Sequence, residues 1–371
     1  MRIALLAPYY TGSHRRWAQG WQAHSEHEIE LFTLPGRHWK WRMTGGALAL
    51  AEQLRQRDFE PELIVTTDML DVAAFRGLYR PHCPMAVYFH ENQLTYPDTP
   101  GDPRAGERHY AYKNFTSACA ADAVWFNSQY HREAFLGALP EFLAAFPDTT
   151  GVEWIPRIAA KSSILPIGLD LQALDTHRVP RAAHSDRPPL LLWNHRWEYD
   201  KDPETFFEAL FKLQEDGIAF ELAVLGMPQQ RRPMAIFEAA RQRLAAHIVQ
   251  WGRVESRAEY ARWLWQADLL PVTSRQDFFG ISVVEAIYCH TYPLLPRRLV
   301  FPEHLPLSLA DEYLYDIDGA TSACDNLYKA LLCQLGSVAA PDPELRALVS
   351  QYDWAHQVTV YDDLALDLAT A

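Results

Sequence analysis

Twice along the chain an apolar strand runs into a polar loop and then into an amphipathic helix, and that repetition limits the folds open to it. The first instance is a strand at residues 3–8, a loop at 9–14 and a helix from Arg15. The second is a strand at 190–193, a loop at 194–202 and a helix from Pro203, where proline suits a first helical turn because its missing N–H has no partner there. Each start is followed by further alternation. The first half predicts strands near 28–34, 63–67, 85–90 and 123–127, with helices near 47–57, 72–79 and 107–121. The second predicts strands near 220–225, 248–252, 268–273 and 291–295, with helices near 205–214, 234–245, 257–266, 282–289 and 324–336. Short apolar strands alternating with longer helices specify parallel, doubly wound α/β sheets. Two Rossmann-like domains follow as the expectation: 1–178, a proline-rich linker at 179–189, and 190–371. The helical spacing near 343–369 belongs to a last helix free to pack back on the first domain.

Size and composition agree with an enzyme of this kind. A chain of 371 residues suits two domains, and 49% hydrophobic residues against 22% charged builds real cores and argues against disorder. No run reaches the roughly 18–20 apolar residues that span a bilayer, so no membrane partner is expected. Five cysteines without a C-x-x-C pair argue against structural zinc and a disulfide framework and for a reducing, cytoplasmic setting. The net charge of −13 is uneven. Residues 1–180 hold 17 Lys/Arg against 20 Asp/Glu, a balance of −3, and residues 181–371 hold 17 against 27, a balance of −10. A polyanion would approach the N-terminal half.

The strongest chemical pattern is the stretch from Asp277 through Phe279, Gly280 and Ile281 to Glu285, between a strand and a helix. Gly280 and the first N–H groups of that helix form a natural anion site. Glu285, one turn in, can accept hydrogen bonds from vicinal ribose hydroxyls, and Asp277 can hold sugar hydroxyls. Arg196 and Lys201 follow the first strand of the second half, where two cations can neutralise a departing diphosphate without a metal ion. His90 closes an apolar strand at the end that faces the crevice of an open α/β sheet. His90-Glu91 lacks the second histidine of a zinc protease helix, since residue 94 is Leu, and Asp316-x-Asp318 lies far from the other site residues and reads as surface. Arg37, Trp39, Lys40, Trp41 and Arg42 form a basic, tryptophan-bearing loop of the kind that stacks unpaired bases and meets phosphates.

These residues carry a resemblance. Arg196/Lys201 and the Asp277-x7-Glu285 stretch resemble the donor site of retaining GT-B glycosyltransferases, the glycogen-synthase-like and mannosyltransferase-like group. That group has two Rossmann domains facing across a cleft, with the donor bound mainly by the second. The family usually has Glu where this chain has Asp277. Pro166-x-Gly168-x-Asp170 resembles the hinge before the second domain. Gly12 and Ser13, followed by His14, resemble the first-strand loop that closes over donor phosphates, and Arg253 and Val254 sit where the family places the nucleobase contact.

TLPGRHWKWR, YFHENQLTYP and FNSQYHRE, with the second-half motifs, resemble the tRNA-queuosine mannosyltransferase family from Ala7 to about Leu295. The resemblance implies GDP-mannose as donor and queuosine-containing aspartate tRNA as acceptor. It implies no resident cofactor or metal, a catalytic contact from His90 to the donor sugar, and an acceptor contact from Asn92 in the FHENQLTYP stretch. The residues themselves leave guanine or uracil, mannose or another hexose, and the oligomeric state open. A different nucleotide sugar with a small-molecule or glycan acceptor, an RNA-binding protein without catalysis, and a sugar-nucleotide epimerase are the alternatives. Replacing Arg196 or Lys201 with Ala is expected to cost turnover more than folding.

Overall fold

The computed structural model describes residues 1–97, 108–148, 151–180, 187–227, 234–319, 321–336 and 340–371. It divides into two compact units, Met1–Asp170 with Tyr352–Ala371, and Leu171–Gln351. Residues 171–178, expected in the first domain, lie with the second unit, and of the expected linker 181–186 fall outside the described residues.

The first unit holds a six-stranded parallel sheet: β1 (Arg2–Tyr10), β2 (Glu28–Pro35), β3 (Leu63–Thr67), β4 (Met85–Phe89), β5 (Ala123–Phe126) and β6 (Ser162–Ile164). Their order is β2-β1-β3-β4-β5-β6. All five residues of β3 and of β4 are buried, as continuous apolar runs covered by helices on both faces must be. Their core packs against the helices Trp39–Gln56, Val72–Tyr79, His109–Ala120 and Gln129–Ala144. The other face is aromatic. Trp17, Trp21, Trp125 and Tyr88 are fully buried there with Trp354 and Tyr361 of the C-terminal helix Trp354–Thr370. Trp17 Nε1 donates to the Tyr361 hydroxyl at 2.9 Å, and Trp21 Nε1 to Asp362 Oδ1 at 2.9 Å. The chain leaves and re-enters this unit at one place, where Trp354 N donates to Leu169 O at 2.9 Å and Leu169 N to Tyr352 O at 2.8 Å.

The second unit has β7 (Leu190–Trp193), β8 (Glu221–Leu225), β9 (Ile248–Gly252), β10 (Leu269–Pro271), β11 (Tyr292–Pro296) and β12 (Leu314–Tyr315), ordered β12-β11-β10-β7-β8-β9 and all parallel. The chain fills one side of β7 and then returns to the other. In such sheets ligands bind outside the carboxyl ends of the strands where the order reverses. Here that point lies between β7 and β10; in the first unit it lies between β1 and β3.

Elements differ from expectation where local signals compete. The helix expected from residue 47 begins at Trp39, so Trp39, Lys40, Trp41 and Arg42 form its first turn rather than a loop. Two glycines, Gly45 and Gly46, lower the helical signal just there. The helix expected from Arg15 begins at Gly12. The helix Gln129–Ala144 carries Pro140, whose usual role as a breaker hid it. The expected 343–369 helix is two, Pro343–Ser350 and Trp354–Thr370, the second capped by Asp353 accepting from Ala355 N at 2.9 Å. Among the described residues no helix is long and apolar enough to cross a membrane.

Candidate active site

In the second unit the loop after β7 and the loop after β10 are stitched together at the reversal point. Thr273 Oγ1 donates to Lys201 O at 2.7 Å and Asp202 O at 3.0 Å, and Arg275 N donates to Asp200 O at 2.7 Å. The Lys201 ammonium is buried. It donates to Gln276 O at 2.8 Å and lies 2.9 Å from Asp277 Oδ2 and 3.3 Å from Asp200 Oδ2. Burial would raise the Asp277 carboxyl, but the Lys201 ammonium, His195 and Ser274 together outweigh it and hold Asp277 below the usual carboxylate range. Arg196 is half exposed, with Nη1 2.7 Å from Glu198 Oε2 and Nη2 3.4 Å from Asp200 Oδ2. The two cations predicted to work together therefore share Asp200, and one of them is locked to the loop that leads to Glu285.

That loop ends at Gly280, which caps the helix Ile281–Tyr288 in a left-handed conformation, φ +73°. Phe279 is buried, and its carbonyl accepts from His304 Nε2 at 2.5 Å. Glu285 is buried in the helix. Its Oε1 accepts from Arg257 Nη2 at 2.7 Å and its Oε2 from the Tyr260 hydroxyl at 2.8 Å. Arg257 and Tyr260 lie on the helix Arg257–Gln266, and no spacing in the sequence links them to Glu285, so sequence reasoning missed both.

Beside this constellation lies a cavity of about 610 Å³ at the carboxyl ends of β7, β8 and β9. Asn194, His195 and Arg196 line it from the first loop, Leu225, Gly226 and Met227 from the second, Arg253 and Val254 from the third, with Tyr260 closing one side. The cavity thus brings together Arg196, Arg253 and Val254 of the predicted set, and Tyr260 joins it to Glu285. Gly226 is required in its wall: at φ +100° a side chain there is strained, and a Cβ would sit 2.6 Å from His195 O.

In the first unit the His14 ring packs on the His90 ring, and Asp68, which sequence reasoning missed, lies beside them. Asp68 follows β3, His90 follows β4, and Gly12, Ser13 and His14 open the first helix. His90 N donates to Asp68 Oδ1 at 2.9 Å, and Asn127 Nδ2 donates to His90 O at 2.9 Å. The His90 ring is packed by His14, Trp17 and Tyr88, with ring centres 4.2, 4.7 and 4.7 Å away. Burial, then the neighbouring His14 and His131, push the His90 imidazole well below its ordinary value, so it is neutral at pH 7. Asp68 runs the other way, raised by burial and by the charge of Glu91. Asn92 has a different task from the acceptor contact expected of it. It is fully buried, and its Oδ1 accepts from Leu94 N, Thr95 N and Thr95 Oγ1 at 3.0, 2.9 and 3.2 Å, shaping the loop after His90.

The basic aromatic segment has a definite form. Trp41 is 62% exposed on the first turn of its helix. Trp39 lies 5.1 Å from Tyr110, and the Lys40 ammonium stands 5.5 Å from each ring. Arg42 Nε donates to Pro35 O at 3.1 Å, and Arg37 is exposed. Asp316 is an exposed partner of Arg297, 2.9 Å away, and stays outside the site.

Two parallel Rossmann-like sheets, a cationic loop at the reversal point of the second and an acid inside the following helix define a glycosyltransferase of GT-B type. Solved structures agree on the fold. Sucrose-phosphate synthase from Thermosynechococcus elongatus superposes with a TM-score of 0.75 at 16% identity over 99% of each chain. A trehalose-6-phosphate protein from E. coli bound with UDP-2-fluoro glucose gives 0.70 at 12% identity over 100% of this chain and 99% of its own. The family signature described as tRNA-queuosine alpha-mannosyltransferase N-terminal matches residues 2–169, and that of glycosyl transferases group 1 matches 178–304. The tRNA-queuosine alpha-mannosyltransferase of Drosophila melanogaster is 33% identical over 327 residues, covering 86% of this chain and 84% of its own. The chain belongs to the tRNA-queuosine alpha-mannosyltransferase family.

Proposed function

We propose that the chain transfers mannose, with retention of anomeric configuration, from GDP-mannose to queuosine in the anticodon of aspartate tRNA. The observation that carries the donor half is Lys201. It is buried between two loops at the reversal point and bonded at 2.8 Å to Gln276 O and 2.9 Å to Asp277, with Arg196 on the neighbouring cavity wall. In this reading the diphosphate meets Arg196, Lys201 and the helix start at Gly280 and Ile281. The nucleoside occupies the cavity beside Arg253 and Val254, and Glu285 accepts from the ribose. Phe279 supports the loop, and Asp277 serves the sugar. The family membership supports a tRNA acceptor, and the exposed Trp41 with Arg37, Lys40 and Arg42 supports contact with unpaired nucleotides. A tRNA acceptor implies work in the cytoplasm.

Chemically, the bond from the sugar's reactive carbon to the diphosphate oxygen breaks as a bond from the acceptor hydroxyl forms on the same face. The hydroxyl proton passes to the departing phosphate oxygen. Fixed positive charge aimed at that oxygen stabilises the transition state more than the bound donor, which is what accelerates the step. The reading asks for no metal, because Arg196 and Lys201 supply the charge. The test is nucleoside mass analysis of queuosine-containing tRNA after incubation with GDP-mannose. One added hexose on queuosine is expected, and an unchanged nucleoside would overturn the reading.

A further inference from the structure

His195 lies between the Trp193 that ends β7 and the Arg196 just described, and none of the roles above uses it. The residue is buried, 4% exposed, and forms part of the cavity wall. Three contacts fix its orientation. Trp193 Nε1 donates to His195 O at 3.1 Å, Gly226 packs against that same carbonyl, and His195 Nδ1 lies 3.0 Å from Ser282 Oγ. Asn194 Nδ2 donates to Ser282 O at 2.8 Å, so the loop and the first turn of the helix Ile281–Tyr288 are tied together at two adjacent points. The other ring nitrogen, Nε2, is buried and has no hydrogen-bond partner among the described residues.

Burial, with the nearby Lys201 charge, lowers the imidazole to about 4, so at neutral pH it carries a single N–H. In the tautomer where the Ser282 hydroxyl donates to Nδ1, that hydrogen sits on Nε2. A buried donor without an acceptor costs free energy unless a ligand supplies one. The surroundings select the acceptor: the Arg196 guanidinium is the next residue along the cavity wall, and the helix amino terminus that holds Ser282 favours negative charge. We infer that His195, oriented by Ser282, donates its Nε2–H to a phosphate oxygen of the nucleotide-sugar donor, an uncharged hydrogen bond beside the Arg196 charge. This rests on the nucleotide-sugar reading above and adds to it a residue that binds by orientation rather than by charge.

The test is calorimetric binding of GDP and of guanosine to the full chain and to H195L, H195Q and S282A, with unfolding midpoints measured in parallel. Leucine fills the space without a donor, whereas glutamine can place an amide N–H near the position of Nε2. H195L is expected to bind GDP roughly tenfold more weakly, the order of one hydrogen bond to a charged acceptor, with guanosine unchanged. H195Q should return to within about threefold of the unaltered chain, and S282A should lie between. Equal GDP affinity in H195L, or equal losses for GDP and guanosine, would overturn the inference while leaving the donor reading intact. Failure of the unaltered chain to bind GDP would overturn both.

Discussion

Lys201 and Arg196 share one loop and one acidic neighbour, yet they stand to lose different things. Lys201 is buried against two carboxylates, so K201A would take the cation from the partly buried Asp277 and leave the buried Asp200 only the longer Arg196 contact, at a cost of about 3 kcal/mol. Arg196 has a side chain 46% exposed, and R196A should cost under about 1 kcal/mol. Both variants are expected to lose roughly a hundredfold or more in turnover. Urea unfolding beside initial rates checks this, and K201A as stable as the unaltered chain would show that Lys201 does not hold the loops together. The margin by which turnover is expected to suffer more than folding is therefore wide for Arg196 and narrow for Lys201. A second consequence concerns pH. Burial lowers His14, His195 and His304 from 6.5 to about 4, and His90 and His131 well below 6.5. The unfolded chain takes up these protons near pH 6.5, the native chain only near 4 at His14, His195 and His304 and well below 6.5 at His90 and His131. Their stabilisation is complete above about 6.5 and lost as pH falls below it; Asp68 and Glu198, both raised by burial, run oppositely but are two groups against five. The unfolding midpoint at pH 5 should lie clearly below that at pH 7, and equal midpoints would mean these rings are not held neutral. The sequence could disclose Arg196, Lys201 and Glu285 because one loop or one helix carries each spacing. Arg257, Tyr260 and Ser282 became site residues only when separate helices met, and nothing local announces that.

Helices that begin earlier than the sequence suggests change what their first turns can do. With the helix starting at Trp39, Trp41 is held on a rigid turn, exposed, instead of on a loose loop. Its edge rests on Gly45, where a Cβ would come within 2.9 Å of the indole. A pre-positioned ring loses little freedom when a base stacks on it. W41A should therefore weaken tRNA binding by roughly tenfold, as stacking of one base is worth about 1–3 kcal/mol, and leave GDP binding and the unfolding midpoint unchanged. Filter binding against calorimetry separates the two, and unchanged tRNA affinity would remove Trp41 from the acceptor surface. Strand positions were the most readable elements, since 63–67 and 190–193 coincide with β3 and β7 and 72–79 and 257–266 with their helices. Buried parallel strands advertise themselves as unbroken apolar runs. Short edge strands do not: β6 and β12, three and two residues long, carry too little pattern to be seen.

At the scale of the whole chain, the first unit is unfinished until its last residues arrive. Trp354 lies against the backbone of Gly20 and Gly168, where an added Cβ would fall 2.1 and 2.5 Å from the indole. Around it Trp17 and Trp21 each spend their indole N–H on the C-terminal helix, on Tyr361 and Asp362. Apolar spacing suggested a helix at this end, but which surface receives it depends on two glycines in distant segments, and a glycine in a sequence does not say what lies against it. The packing leaves no room for repair on the receiving side. G20A would drive a methyl into a ring wedged between two backbones, and overpacking of this kind costs typically 1–3 kcal/mol. W354A would instead open a large hole, at about 3–5 kcal/mol. The two changes have opposite volume but act at one contact, so their costs should not add: with the indole gone, the Gly20 methyl has space. The double variant G20A/W354A is therefore expected to be no less stable than W354A alone, measured as urea midpoints of the full chain with tryptophan fluorescence as the probe. A double variant weaker than W354A by the full cost of G20A would mean that Gly20 is required by its helix rather than by Trp354, and the C-terminal helix would then be a covering of the first unit instead of part of its core.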